Sequence, residues 1–364
     1  MIPLFKTAMS PNAALDVARV LNSGYVGQGN KVEWFETALR EHFNYPSIVT
    51  TNSATSAIHL ALHMLKLPMG TQVLTTPLTC TATNWPIRAN GLTPVWVDVN
   101  PGTLNICLQD VSSKLTELTQ VLMLVHWGGY PIDLAQIEHI KQEYRNKYNK
   151  RLHVIEDCAH AWGAKYKGQP VGTHGNLSVF SFGPIKPLSC GDGGVLLCRS
   201  EEETERARLL RWYGIDRDNR NCDIEEWGFK FHMNDINASI GLANLEMSKK
   251  LVYGHRRHSL IYDVQLQGIP GVKLLERNPS HESSCWLYTM LVERRGEFIL
   301  KMMEHGIEAR PVHKRNDQYT CVDYLKLDLP RLDSIYSNIV CIPNGWWLTE
   351  DDRNHIINTI RSGW

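Results

Sequence analysis

Short apolar runs recur along the first two-thirds of this 364-residue chain, separated by segments long enough to be helices. The runs fall at 47–50, 72–75, 94–99, 121–125, 154–157, 177–182 and 193–198. Runs this short and this continuously apolar read as strands buried on both faces. The connections between them are long enough for parallel crossovers. A buried, mostly parallel sheet with helices on both faces follows, and this excludes an all-α or an all-antiparallel fold. In such a sheet ligands gather beyond the carboxyl ends of the strands, so chemistry-bearing residues there carry the most information.

One stretch stands out, 154–194, VIEDCAHAWGAKYKGQPVGTHGNLSVFSFGPIKPLSCGDGG. Asp157 closes one apolar run, and Lys186 follows the next, five residues after Ser181. A carboxylate and an amine at the ends of neighbouring strands fit the needs of pyridoxal 5'-phosphate (PLP). The amine carries the cofactor aldehyde, and the carboxylate keeps a proton on the ring nitrogen so that the ring accepts electrons. Ser181 is then placed to meet the phosphate. Spacing alone also fits a solvated loop lysine and a turn aspartate.

The words EDCAHAWGA, YKGQPVGTHGNLSVFSF, the lysine after them and GDGG resemble the DegT/DnrJ/EryC1/StrS family. Its members are PLP-dependent aminotransferases acting on nucleotide-linked keto-sugars, and the resemblance runs from the first residues to about Pro343. It implies a fold type I PLP-dependent aminotransferase, an α/β architecture with a smaller C-terminal α/β domain. The corresponding divisions are an N-terminal arm over 1–12, a large PLP-binding domain over 13–250 and a small domain over 251–364.

The resemblance also implies roles. Lys186, Asp157 and His160 are the catalytic set, with His160 beside the ring hydroxyl. Thr55, Ser56 and Ser181 bind the cofactor phosphate. Lys230 stands where the family usually has Asn touching the phosphate of the neighbouring subunit's cofactor. A lysine brings a point charge to that phosphate or to the substrate's phosphates. Tyr25 and Gln28 in a Gly-rich loop, Trp85, Arg310, His313 and Lys314 are substrate candidates. Arg310, Lys314 and Arg315 together suit a nucleotide diphosphate, with a solvated basic loop as the alternative. Cys80 occupies a position near the ring that is often aromatic in the family.

The reaction implied is transfer of an amine from glutamate to a nucleotide-linked keto-sugar, at C4 of an NDP-4-keto-6-deoxyhexose, by a homodimer with shared active sites. The alternatives are an NDP-3-keto-sugar aminotransferase, a PLP-dependent sugar dehydratase and a non-catalytic PLP-binding regulator. The dehydratases replace the lysine by histidine, which Lys186 argues against; Pro184 and Pro187 around it keep the regulator in view.

Other local readings come from the residues themselves. The N-terminus of a nearly all-apolar helix near residue 54 offers backbone N–H groups to a phosphate. Ser10 and Pro11 read as the cap and first turn of a helix. Asn234 or Asp235 begins a long one. His126 either borders the site or is a structural histidine, and His59, Trp346 and Trp347 read as packing.

Lys+Arg and Asp+Glu both number 38, so no basic excess favours nucleic acid or an anionic membrane. The nine cysteines, at 80, 107, 158, 190, 198, 222, 285, 321 and 341, contain no C-x-x-C pair, so neither a disulfide framework nor a bound metal is expected. No apolar run is long enough to span a bilayer, and the first residues lack a cleavage signal, so a cytoplasmic protein is expected.

Overall fold

The computed structural model describes residues 1–219, 221 and 223–364; Cys222 lies outside the described residues. A seven-stranded sheet forms the centre. Its strands are Ile48–Thr51 (β1), Gln72–Thr75 (β2), Thr93–Trp96 (β3), Thr119–Val125 (β4), His153–Asp157 (β5), Leu177–Ser181 (β6) and Gly194–Leu197 (β7). Their order is β1-β7-β6-β5-β4-β2-β3. The strands from β6 to β3 pair in parallel, and β7 runs antiparallel to both β6 and β1.

β4 shows why these strands lack the polar half of an amphipathic pattern. Val121 and Met123 enter the core on one face, with the Ala54–Met64 helix. Leu122 and Leu124 enter the core on the other face, with Val32, Phe35 and Leu39 of the Asn30–Phe43 helix. Side chains alternate across a strand, so a sheet covered on both faces needs apolar residues at every position.

The last glycine of GDGG has a packing reason. β7 begins at Gly194 directly beneath the start of the Ala54–Met64 helix. A Cβ there would lie 2.5 Å from the Ala54 amide nitrogen and 2.6 Å from the Ser53 carbonyl carbon. Backbone cannot yield as a flexible side chain does. Gly194→Ala should therefore destabilise the fold by about 1–3 kcal/mol, read as a lower denaturant midpoint.

A second, three-stranded antiparallel sheet joins Val272–Leu274, Tyr288–Val292 and Ile339–Ile342, with Tyr288–Val292 in the middle. Tyr288, Met290 and Val292 pack on Phe298, Met302, Ile356 and Ile360 from two flanking helices. The opposite side of this lobe shares a core with the large sheet's edge through Leu78, Trp96, Trp127 and Trp286. The Asp235–Gln265 helix links the lobes and passes through residue 250 without interruption. The N-terminal arm pairs with the second lobe: the Ile2 amide donates to the Gly306 carbonyl at 2.7 Å, and Glu308 N–H donates to the Ile2 carbonyl at 3.0 Å.

Two local expectations change. The first helix begins at Ala13, after Pro11 rather than with it. The Ser10 carbonyl and hydroxyl are taken by the amides of Ala13 and Asn12, which closes a turn before the helix starts. The Ile339–Ile342 strand and the Leu108–Lys114 helix, each too short to show a period, were not read from the sequence. Among the described residues no helix is long and apolar enough to cross a membrane. The eight described cysteines are all free.

Candidate active site

The carboxyl ends of β5 and β6 bring Asp157, His160, Ser181 and Lys186 to one edge of the sheet, under the second lobe. The loop after β6 turns tightly, with Lys186 N–H donating to the Gly183 carbonyl at 3.1 Å. The Lys186 amine lies on the indole face of Trp286, with Nζ 3.5 Å from the ring centroid. The lysine keeps some exposed surface, yet its amine end is enclosed. Burial lowers its pKa to about 7, against the opposing pull of Asp157 and Cys80. A buried ammonium loses hydration that the neutral amine does not need.

Asp157 is buried, and burial pushes its carboxyl pKa upward. Hydrogen bonds and nearby charges oppose that push. Thr83 Oγ1 donates to Oδ2 at 2.7 Å, the Ala159 amide donates to Oδ1 at 3.0 Å, and Lys186 contributes its charge. Thr83 gives its proton to the carboxylate, so its contact with Thr79 Oγ1 at 2.8 Å is one in which Thr79 donates.

His160 is buried, with Nδ1 accepting from the Gly128 amide at 3.3 Å. That bond places its ring proton on Nε2. Gly129, in the same turn, has φ +89°, and a Cβ there would lie 2.6 Å from the His160 carbonyl oxygen. Burial, then Lys186 and two other histidines, keeps the His160 pKa well below the usual histidine value, so the ring is neutral. His313 stacks parallel to it, 5.6 Å between ring centroids. Burial first, then Lys186 and Arg310, lowers His313 to about 4, and its buried Nε2 has no hydrogen-bond partner among the described residues.

At the start of the Ala54–Met64 helix, Ser53 Oγ accepts from the Ser56 amide at 3.1 Å, and Thr55 is exposed. An enclosed amine, a buried carboxylate, a neutral imidazole and a helix N-terminus beside hydroxyls form a donor set suited to PLP.

Comparison with known proteins gives the family. The model of the DegT/DnrJ/EryC1/StrS aminotransferase family matches residues 8–361. The chain belongs to this family. A GDP-perosamine synthase of Escherichia coli O157:H7 is 30% identical, covering 85% of this chain and 84% of that protein. The sugar aminotransferase CalS13 from Micromonospora echinospora is 44% identical, with a TM-score of 0.98 over all of both chains. A putative sugar aminotransferase of Streptococcus pneumoniae in its PLP form is 26% identical, with a TM-score of 0.92 over 99% of this chain and 98% of that one. This chain is thus a PLP-dependent aminotransferase of fold type I, within a family of sugar aminotransferases.

The aminotransferase places the remaining candidates unevenly. Tyr25 and Gln28 line a separate cavity of about 1170 Å³, whose walls hold Arg211, Arg217 and Asp235 but not Lys186, Asp157 or His160. There the Tyr25 hydroxyl donates to the Gln28 carbonyl at 3.0 Å, and with its amide oxygen turned toward them Gln28 accepts from Arg211 and Arg217. The backbone of Lys230 adjoins the loop before the Ala54–Met64 helix of its own chain, its carbonyl accepting from Asn52 Nδ2 at 3.3 Å, while its side chain is exposed. Trp85 is half-buried against Tyr319.

Exposed Arg310 pairs with Glu308 at 3.0 Å, and Lys314 lies over the Tyr319 ring at 4.8 Å. Arg315 does not join them. It is buried, its guanidinium holding Asp317 at 2.6 Å and also Asp333, so its charge is spent inside the fold. The proposed three-residue positive cluster is corrected to Arg310 and Lys314. His126 is structural: Nε2 meets Glu156 at 3.0 Å, and Nδ1 accepts from the Ile132 amide at 3.1 Å. His59 packs on Phe229 and Phe231. Thr83 and Trp286 were not singled out in the sequence. A threonine inside a helix and a tryptophan before a strand carry no local mark of a contact made across the fold.

Proposed function

We propose that this chain moves an amine from glutamate to a nucleotide-linked keto-sugar, at C4 of an NDP-4-keto-6-deoxyhexose, in cytoplasmic amino-sugar biosynthesis, as a homodimer with shared active sites. The observation that carries the reading is the convergence of the Lys186 amine, the Asp157 carboxylate and the His160 imidazole at one strand edge. Similarity to a GDP-perosamine synthase supports a nucleotide-linked sugar as substrate.

Bound PLP supplies an aldehyde carbon that takes up the amine and a ring that draws electrons from the α-carbon of the donor. Lys186 Nζ, neutral above about pH 7, would take the proton from that α-carbon and give it back at the cofactor's aldehyde carbon. Asp157, which accepts from Thr83 and the Ala159 amide, would hold the ring-nitrogen proton. His160 offers its Nε2 proton to the ring hydroxyl. Thr55, Ser56 and Ser181, with Lys230, hold the phosphate. Arg310, His313, Lys314 and Trp85 would surround the sugar nucleotide, and Tyr25 and Gln28, which line a separate cavity of their own chain, would meet it across the subunit interface of the shared site.

The sign of the pH effect follows from Lys186. Its pKa is lowered to about 7, so the free amine is neutral above that value and charged below it. The glutamate half-reaction should rise about tenfold per pH unit below neutrality and level off above it.

The test has two stages. Glutamate is added to the PLP-loaded protein without sugar, and the absorbance spectrum is followed. Conversion to the pyridoxamine form is expected, and no conversion rejects glutamate as donor. The amine-loaded protein is then given NDP-4-keto- and NDP-3-keto-6-deoxyhexoses, and the aminated carbon is located by NMR. Amination only at C3 overturns the C4 assignment.

A further inference from the structure

Trp286 reaches the lysine loop from the other lobe and is fixed on three sides. It is 2% exposed. Its indole N–H donates at 3.1 Å to the carbonyl of Ile185, the residue directly before Lys186. Phe5 of the N-terminal arm stacks on it with ring centroids 5.4 Å apart, and the His160 ring lies 4.3 Å away on centroids. Its backbone entry is fixed as well: Cys285 sits in the left-handed region at φ +54°, and its carbonyl accepts from Asn344 Nδ2 at 2.6 Å. The lysine stem has four rotatable bonds and no such restraint. The ring therefore decides where the amine rests, with Nζ 3.5 Å above its centre.

We propose that Trp286 is a positioning residue for the reaction, a platform that holds the Lys186 amine over its indole face whenever that amine is not bonded to the cofactor. The inference rests on the reading of Lys186 as the proton-moving group. An aromatic face suits this task better than a carboxylate would. A carboxylate in contact would hold the proton and keep the amine charged. The ring quadrupole attracts an ammonium by only about 0.5–2 kcal/mol, enough to fix its place while leaving the neutral form accessible. The ring also shields the amine from water, and the bond to Ile185 ties the platform to the lysine's own loop. Phe5 makes the N-terminal arm part of this support.

Two readouts test the platform. In the apoprotein, Lys186 is acylated competitively across pH and quantified by mass spectrometry. In the PLP-loaded protein, the glutamate half-reaction gives a rate constant and a half-saturation concentration. Trp286→Ala lets water reach the amine, and because burial is the largest influence on it the amine pKa is expected to rise despite the lost attraction of the ring, while the half-reaction slows about 100-fold with half-saturation changed less than about threefold. Trp286→Phe keeps a ring face without the N–H, and should recover the rate to within about fivefold of the parent. If Trp286→Ala does not fold, Trp286→Leu must show the same upward shift and slowing. An unchanged titration and rate in Trp286→Ala or Trp286→Leu overturns the proposal. So does a Trp286→Phe variant as impaired as Trp286→Ala, which would assign the effect to the Ile185 hydrogen bond or to packing. Failure of the parent protein to react with glutamate would instead reject the donor assignment or the role of Lys186, while the apoprotein titration would still report on the platform.

Discussion

Lys186→Ala is expected to abolish transamination, lowering the glutamate half-reaction by about four orders of magnitude or more. On the proposed reading the variant loses both the amine that carries the cofactor and the base that moves the proton. The fold should survive. Burial already disfavours this ammonium, which is why its pKa falls to about 7. Removing it relieves a desolvation cost and leaves the Trp286 ring held by Ile185, Phe5 and His160. Thermal unfolding of the apoprotein near neutral pH should therefore match or exceed that of the parent. Single-turnover spectroscopy with glutamate is the direct check, and near-normal turnover would remove Lys186 from the chemistry.

Asp157→Asn is expected to slow the half-reaction by about 100- to 1000-fold while the protein stays folded. The carboxylate has two donors, Thr83 Oγ1 and the Ala159 amide. An amide of the same shape can turn its oxygen to the Ala159 amide, which can only donate. Its NH₂ then faces Thr83, whose hydroxyl can rotate to accept. Both contacts are thus remade with the roles at Thr83 exchanged, and the melting temperature should move little. A neutral amide cannot hold a proton on the ring nitrogen, so the electron-withdrawing power of the ring falls. Unaffected kinetics would separate Asp157 from that nitrogen. The pair of variants is informative because one removes the group proposed to move the proton and the other the carboxylate proposed to hold a proton on the ring nitrogen.

Much of the architecture was legible because it is local. Apolar runs at every strand position announce a sheet covered on both faces, and β4 shows its residues divided between two cores. The ends of such runs mark the catalytic edge, so Asp157 and Lys186 stand out in the chain itself. The resemblance of the 154–194 stretch to one family then gave the cofactor and the class of reaction, and the family match over residues 8–361 agrees.

The fate of each polar group was not local. His126 and Arg315 look alike in sequence to residues that bind ligands. What separates them is a buried partner: Glu156 for His126, and Asp317 with Asp333 for Arg315. Gly194 looks like a flexible loop glycine, and only the Ala54 backbone above it shows that a side chain has no room. Thr83 meets Asp157 across 74 residues of chain, and Trp286 meets Ile185 across 101. The sequence by itself determined which segments must be buried and where an amine and a carboxylate could meet a cofactor, since periodicity and strand ends are written in neighbouring residues. Only the tertiary structure decided which charges are neutralised, which ring faces the lysine amine and which hydroxyl donates to the aspartate. Those depend on desolvation and on contacts that exist only after distant segments have packed together.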